Sequence, residues 1–282
     1  MIPAQFEYAA PTSVEEALGL MSEHGDDAKI IAGGQSLLPV LRMRLNAPEW
    51  VIDLGRIDSL RGVTDAGDAI EIGAMTTHHD VLTNPLIAEH AALITRATSH
   101  LADAQVRHRG TFGGALAHAD PAGDLGAPAV ALGADFVIQG PGGTRTVGAD
   151  EFFVDLFETA IGEDELLVAI RVPKHTGWGA HYEKFVRVAH QWPIVAVAAT
   201  VRMEGDTIAE ARVGLTNMGS TPVRATGVED ALRGAGTDAI ASAAEHAADG
   251  TNPPSDLNGD ADYRRHLAGV LTRRAVQAAA KG

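Results

Sequence analysis

Two short glycine-rich segments carry the most legible chemistry in this chain: Ala32-Gly33-Gly34-Gln35-Ser36 and Thr111-Phe112-Gly113-Gly114-Ala115. Each joins a Gly-Gly pair to small or apolar residues, with a hydroxyl alongside (Ser36 in one, Thr111 in the other). Paired glycines admit positive φ and let another group come close to the main chain. Successive N–H groups in such a turn form a concave anion site, better still where a helix follows. Two such loops in one domain suit the two phosphates of a dinucleotide. The first is neither a Walker A loop, lacking Gly-Lys-Ser/Thr, nor a Rossmann fingerprint, lacking the third glycine. Taken singly, each reads equally well as a structural turn. Their pairing is what favours a phosphate cradle.

Other residues of reactive type are scattered. Arg107 and Arg109 precede the second segment and either add positive potential or are solvated surface charge. His118, Asp120 and Asp124 suggest a metal site or a triad, but Pro121 and Gly123 break any helical register that would align them. No G-x-S-x-G elbow completes a hydrolase. Asp124 suits a short acceptor near a nucleotide hydroxyl. His78 and His79 are adjacent, share no helix face, and read as polar residues at a helix start. Trp192-Pro193 lies between two strand-like runs, where the ring either stacks on a planar ligand or packs in a core. Lys184 sits among Tyr182, Phe185 and Val186, where a buried cation needs a partner.

The elements that must position these groups alternate through the first half. Phe6-Glu7-Tyr8 is extended, and Ser13-Val14-Glu15-Glu16 is a capping box before an apolar helix face. Lys29-Ile30-Ile31-Ala32 reads as a buried strand ending at the first Gly-Gly pair, followed by a short helix interrupted by Pro39. Trp50 to Leu54 and Ala69 to Ala74 are strands, and Thr77-His78-His79-Asp80 opens a helix that Pro85 stops. A longer helix is expected over 87–101, an Ala-rich one after Asp124, and a hairpin at Asp135 to Gly143. Leu166 to Pro173 closes this half. Beyond it come strand-like runs at 182–188, 194–203 and 208–215, then helices near 227–232, 238–248 and 262–280.

Composition excludes several classes. A formal charge of −15 argues against nucleic acid and anionic membrane surfaces. No apolar run reaches the roughly 20 residues that span a bilayer, and the first residues lack signal-peptide character, so a cytoplasmic protein is expected. With no cysteine, the chain has no disulfide, no cysteine nucleophile and no Cys-ligated cluster. Electrons, if carried, need an organic cofactor here or clusters in partner chains.

The run Ala32-Gly33-Gly34-Gln35-Ser36-Leu37-Leu38-Pro39 and the run from Arg107 through Thr111-Phe112-Gly113-Gly114-Ala115 to Asp120-Pro121-Ala122-Gly123-Asp124 resemble a known family. That family is the FAD-binding medium subunit of molybdenum hydroxylases, which includes the carbon monoxide dehydrogenase medium subunit and xanthine dehydrogenase flavin domains. The resemblance covers essentially the whole chain, including the late Asp262-Tyr263-Arg264-Arg265-His266-Leu267 stretch. It implies an α+β fold: a PCMH-type (p-cresol methylhydroxylase) FAD-binding domain of two α/β subdomains over 1–176. A smaller C-terminal domain over 177–282 would pack a three-stranded antiparallel sheet against helices.

By position, the resemblance implies that Ala32, Gly33, Gly34, Gln35 and Ser36, extended by Leu37, hold the FAD pyrophosphate with Thr111, Phe112, Gly113, Gly114 and Ala115. Asp124, with Asp120 nearby, would contact the adenosine or ribityl side. Leu167 and Lys184 would border the flavin ring, with Trp192 near the isoalloxazine. Gln35 stands where His is commoner in carbon monoxide dehydrogenase relatives, and Phe112 where Ile is commoner. Both departures weaken carbon monoxide as the substrate, and the missing His fits non-covalent FAD. The resemblance further implies an oxidoreductase subunit with no catalytic or metal-binding residue of its own. A large molybdopterin subunit would oxidise the substrate, and a small subunit's two [2Fe-2S] clusters would feed FAD here, in a dimer of heterotrimers. The external acceptor would be a quinone, O2 or NAD. The alternatives are a stand-alone PCMH-type flavin oxidoreductase and a dinucleotide-sensing module.

Overall fold

The computed structural model describes residues 2–282. The chain begins with a three-stranded parallel sheet in which Trp50–Asp53 lies between Glu7–Ala9 and Ala28–Ile31. Against it packs the helix Val14–His24, whose Ser13 side chain accepts the Glu16 N–H at 3.1 Å. The return bond of the cap goes one residue further back, from Thr12 N to Glu16 Oε2 at 2.8 Å. Val14, Ala17 and Leu18 bury the apolar face of that helix with Ile52, Leu54 and Ile57. Pro39 does not interrupt the next helix, Leu37–Met43. It stands at the third helical position, where the missing N–H has no intrahelical partner to lose.

A five-stranded antiparallel sheet follows, ordered Val63–Asp65, Ala69–Gly73, Leu166–Pro173, Asp135–Gly140, Gly143–Gly148. Leu166–Pro173, apolar almost throughout, is central because both of its edges are paired. The expected helix over 87–101 is two helices, Pro85–His90 and Ala92–Ser99. Asn84 caps the first, and the His90 carbonyl turns out to accept from His175 N at 2.7 Å, which breaks the run at Ala91.

Three long antiparallel strands, Gly179–Phe185, Val195–Glu204 and Thr207–Thr216, form the C-terminal sheet. The two-residue strands Val223–Arg224 and Ala235–Gly236 add to it, so the expected three strands become five. Along Val195–Glu204 both faces are buried as far as Val201. Val195, Val197, Ala199 and Val201 face the helix Ala261–Ala279, while Ala196 and Ala198 join the core of the preceding half. Small residues occupy that second face because the Ala-rich helix Gly126–Leu132 lies against it: a Cβ on Gly214 would stand 2.2 Å from Ala127 O. No helix among the described residues is long and apolar enough to cross a membrane.

Candidate functional site

The first glycine segment leaves the end of the parallel strand Ala28–Ile31, and the second opens the helix Phe112–His118. Their glycines bring them together. A Cβ on Gly33 would lie 2.2 Å from Arg109 O and 2.6 Å from Gly110 Cα, and one on Gly114 would lie 3.2 Å from Ala32 Cβ. A Cβ on Gly113 would meet Ala74 at 2.5 Å. The close approach that the Gly-Gly pairs permit is therefore first of all of backbone to backbone. Between the segments opens a cleft of about 500 Å³, lined by Ala32 through Leu37, Thr111, Gly113, Gly114 and Ala115. Leu166 and Leu167 of the central strand close it, with Met75, His78, His118 and Ile161.

The two segments do different work. In the second, Phe112 N donates to Thr76 O at 2.9 Å, Gly113 N to Ala74 O at 2.9 Å, and Gly114 N to Thr111 Oγ1 at 3.2 Å. Ala115 N donates to Thr111 O at 3.0 Å. The amides expected to be free there are spent on docking and capping the helix. In the first segment the N–H groups of Gly33, Gly34, Gln35, Ser36 and Leu37 find no acceptor among the described residues. Gly34 has φ 73°, the left-handed conformation glycine allows, and Ser36 makes no side-chain cap. Gln35 folds back, its Nε2 donating to Gly33 O at 3.1 Å. Five unspent amides and an uncommitted hydroxyl beside a cleft form a donor set suited to a phosphate.

Several expected contacts lie elsewhere. Phe112 is 1% exposed, and its ring packs into the core rather than the cleft, as its place in the first turn of a buried helix requires. Asp120 accepts from Ala122 N at 2.9 Å and shapes a turn. Asp124 and Lys184 form a buried ion pair at 2.9 Å, and Tyr182 donates to the other Asp124 oxygen at 2.7 Å. Burial pushes the Asp124 carboxyl above its ordinary range, with Lys184 and Tyr182 pulling the other way. Lys184 also donates to His100 O at 3.2 Å, so this cluster joins the C-terminal sheet to the segments around 100 and 124. Trp192 is 64% exposed on a loop, not core. His118 contacts the Phe157 ring at 5.1 Å, Asp120 shapes a turn and Asp124 pairs with Lys184, so each of these three side chains has a partner of its own.

Two cleft residues escaped the sequence. His78 does start a helix, yet it is buried, and desolvation with the nearby Arg107 charge lowers its pKa to about 4. Arg107 is tied to Leu101 O at 2.8 Å rather than freely solvated. Glu165, at the edge of the cleft, accepts from Arg145 at 2.7 and 2.6 Å, which holds its carboxyl below the usual range. Nothing in the local pattern marks either one as a cleft residue; the contacts that bring them there, His78 N to Gly110 O and Arg145 to Glu165, span 20 residues or more.

Set beside known proteins, residues 4–175 match the family profile described as the FAD binding domain in molybdopterin dehydrogenase. Residues 180–279 match the CO dehydrogenase flavoprotein C-terminal domain. The chain belongs to this family of FAD-binding subunits of molybdopterin dehydrogenases. It is 42% identical over 284 residues to the carbon monoxide dehydrogenase medium chain of Hydrogenophaga pseudoflava, covering 99% of this chain and 98% of that one. The nicotine 6-hydroxylase medium subunit of Paenarthrobacter nicotinovorans is 36% identical over 98% of this chain and 97% of its own. A solved carbon monoxide dehydrogenase from Hydrogenophaga pseudoflava superposes with a TM-score of 0.96 at 43% identity, covering 100% of this chain and 99% of that one. Quinoline 2-oxidoreductase from Pseudomonas putida 86 gives 0.95 at 33% identity, covering 100% and 99%. This FAD-binding subunit is thus the flavoprotein component of an oxidoreductase, with the PCMH-type fold.

Proposed function

We propose that this subunit carries non-covalent FAD as the electron-transfer relay of a heterotrimeric molybdenum hydroxylase. The five unspent amides of Gly33–Leu37, facing a cleft walled by the second glycine segment, are the observation that carries the reading. These amides and the Ser36 hydroxyl hold the pyrophosphate, while Thr111, Gly113, Gly114 and Ala115 form the opposing wall. Leu167, at the bulge of the central strand, borders the flavin ring. The exposed Trp192 is available to cover it, whereas Asp120, Asp124 and Lys184 lie outside the cleft lining and are engaged with other protein groups. Bound there, FAD supplies a two-electron store between one-electron iron–sulfur partners and an external acceptor (a quinone, O2 or NAD).

The large subunit with molybdopterin chooses and oxidises the substrate, and the small subunit carries the [2Fe-2S] clusters. The medium-chain names of the relatives and the absence of cysteine in this chain support that division. Two heterotrimers pair in the cytoplasm, and the chain divides into a FAD domain over 1–176 and a C-terminal domain over 177–282. Affinity purification of the tagged chain from its native cells tests the reading. A large molybdopterin chain and a cysteine-rich small chain should co-purify, and substrate should bleach the flavin absorbance only in the full complex. Turnover of an organic donor by the isolated chain would refute it.

A further inference from the structure

His78 follows the Thr77 cap as the first residue of the helix His78–Thr83. Its main-chain N–H donates to Gly110 O at 2.9 Å, which fixes it against the second glycine segment. The side chain lines the cleft at 3% exposure. A Cβ on Gly110 would stand 2.8 Å from the ring Cδ2 and 3.0 Å from Nε2. Because a Cβ on Gly33 would stand 2.6 Å from Gly110 Cα, Gly33, Gly110 and the His78 ring form one contiguous row. The imidazole and the unspent amides therefore line the same cleft, with Gly110 in contact with both His78 and Gly33, and glycine at 110 is what makes room for the ring.

Neither ring nitrogen has a protein partner among the described residues, and Nδ1 is fully buried. Burial keeps the ring neutral, with a pKa of about 4. A neutral imidazole carries one N–H, on either nitrogen. On Nδ1 that proton would be a buried orphan donor, which folded proteins rarely tolerate. On Nε2 the only unmet group is the Nδ1 lone pair, and the donor is left for whatever fills the cleft.

We propose that His78 is a ligand-binding residue, its Nε2–H donating to a phosphate oxygen of the dinucleotide held by the Gly33–Leu37 amides. The inference rests on the FAD reading above and adds a side-chain donor to a cradle otherwise made of backbone.

The test uses the full chain, freed of flavin and titrated with FAD, in wild-type, His78→Leu and His78→Gln forms. Glutamine can place an amide N–H near the Nε2 position, whereas leucine fills the space without a donor. His78→Leu should weaken FAD binding by about 10- to 100-fold, the loss expected for one hydrogen bond to a charged group. His78→Gln should stay within about threefold of wild type. The ³¹P resonances of the bound pyrophosphate should move in the leucine variant. Unchanged affinity and unchanged ³¹P shifts in His78→Leu overturn the proposal, as does a glutamine variant as weak as the leucine one. Should His78→Leu not fold, ¹⁵N-histidine NMR of the wild type decides: FAD must shift an Nε2–H signal, and an unmoved signal overturns the assignment. If the wild-type chain binds no FAD at all, the function reading itself fails; failure confined to the variants removes only His78.

Discussion

Replacing Gly33 by alanine separates a glycine kept for ligand approach from one kept for packing. The new Cβ would lie 2.2 Å from Arg109 O, 2.6 Å from Gly110 Cα and 2.8 Å from Arg109 C. All three are backbone atoms, so no side chain can rotate away. Relief to an ordinary contact requires the two segments to part by about 1 Å, and overpacking of this kind costs roughly 1–3 kcal/mol. That displacement also carries the Gly33–Leu37 amides away from their aim. A loss of about 2 kcal/mol in binding corresponds to roughly 30-fold weaker FAD. Gly142→Ala is the control, since its Cβ would meet nothing within 4 Å and its φ is not positive. Gly114→Ala is intermediate, because its nearest neighbour at 2.6 Å is the Thr111 hydroxyl. The assay is FAD stoichiometry from the flavin-to-protein absorbance ratio, with thermal unfolding of the flavin-free chain alongside. Gly33→Ala should lose both flavin and stability, Gly114→Ala less, and Gly142→Ala neither. A Gly33→Ala protein with wild-type stability and a full flavin complement would refute the packing argument; one with wild-type stability but no flavin would restore the glycine to the ligand.

Three further outcomes are expected. His78 has a folded pKa of about 4 against an ordinary 6.5, so the unfolded chain binds more protons between those values and stability falls as pH drops through that window. The full effect is about 3 kcal/mol, checked by urea unfolding from pH 7 to pH 4, where His78→Gln should flatten the slope. Lys184→Met strands the buried Asp124 carboxylate and should cost roughly 3–5 kcal/mol in chemical denaturation. Adding Asp124→Asn should recover much of the loss, and simple additivity would contradict the pairing. Arg264, fully buried, donates to Ile194 O and pairs with Asp256 at 2.8 Å. Arg264→Met should therefore raise hydrogen exchange at Ile194 and in the 256–259 loop before it affects the parallel sheet, and uniform exchange would sink that account.

Much of the fold is legible locally because its signals are local. Ser13 with Glu16 and Thr77 with Asp80 mark helix starts that the structure contains, since a cap is an interaction over three residues. The strand-like runs over 194–203 and 208–215 are strands in the structure, and a lysine among Tyr182 and Phe185 announces that a partner must exist. The identity of that partner is not local: Asp124 is 60 residues away. Pro39 misleads because proline breaks a helix interior but not a first turn, and only the true helix start tells the two apart.

The sequence by itself determined the family, the paired glycine segments, the absence of any cysteine and the elements that bracket the cleft. These follow from residue types and short spacings, which fold locally. Only the tertiary structure decided which amides remain unspent. The hydrogen bonds that consume the second segment run to Ala74 and Thr76, and the glycines at 33 and 113 are required by Arg109 and Ala74. Whether a donor is free depends on what the rest of the chain brings to it, and that is a property of packing across sequence distance.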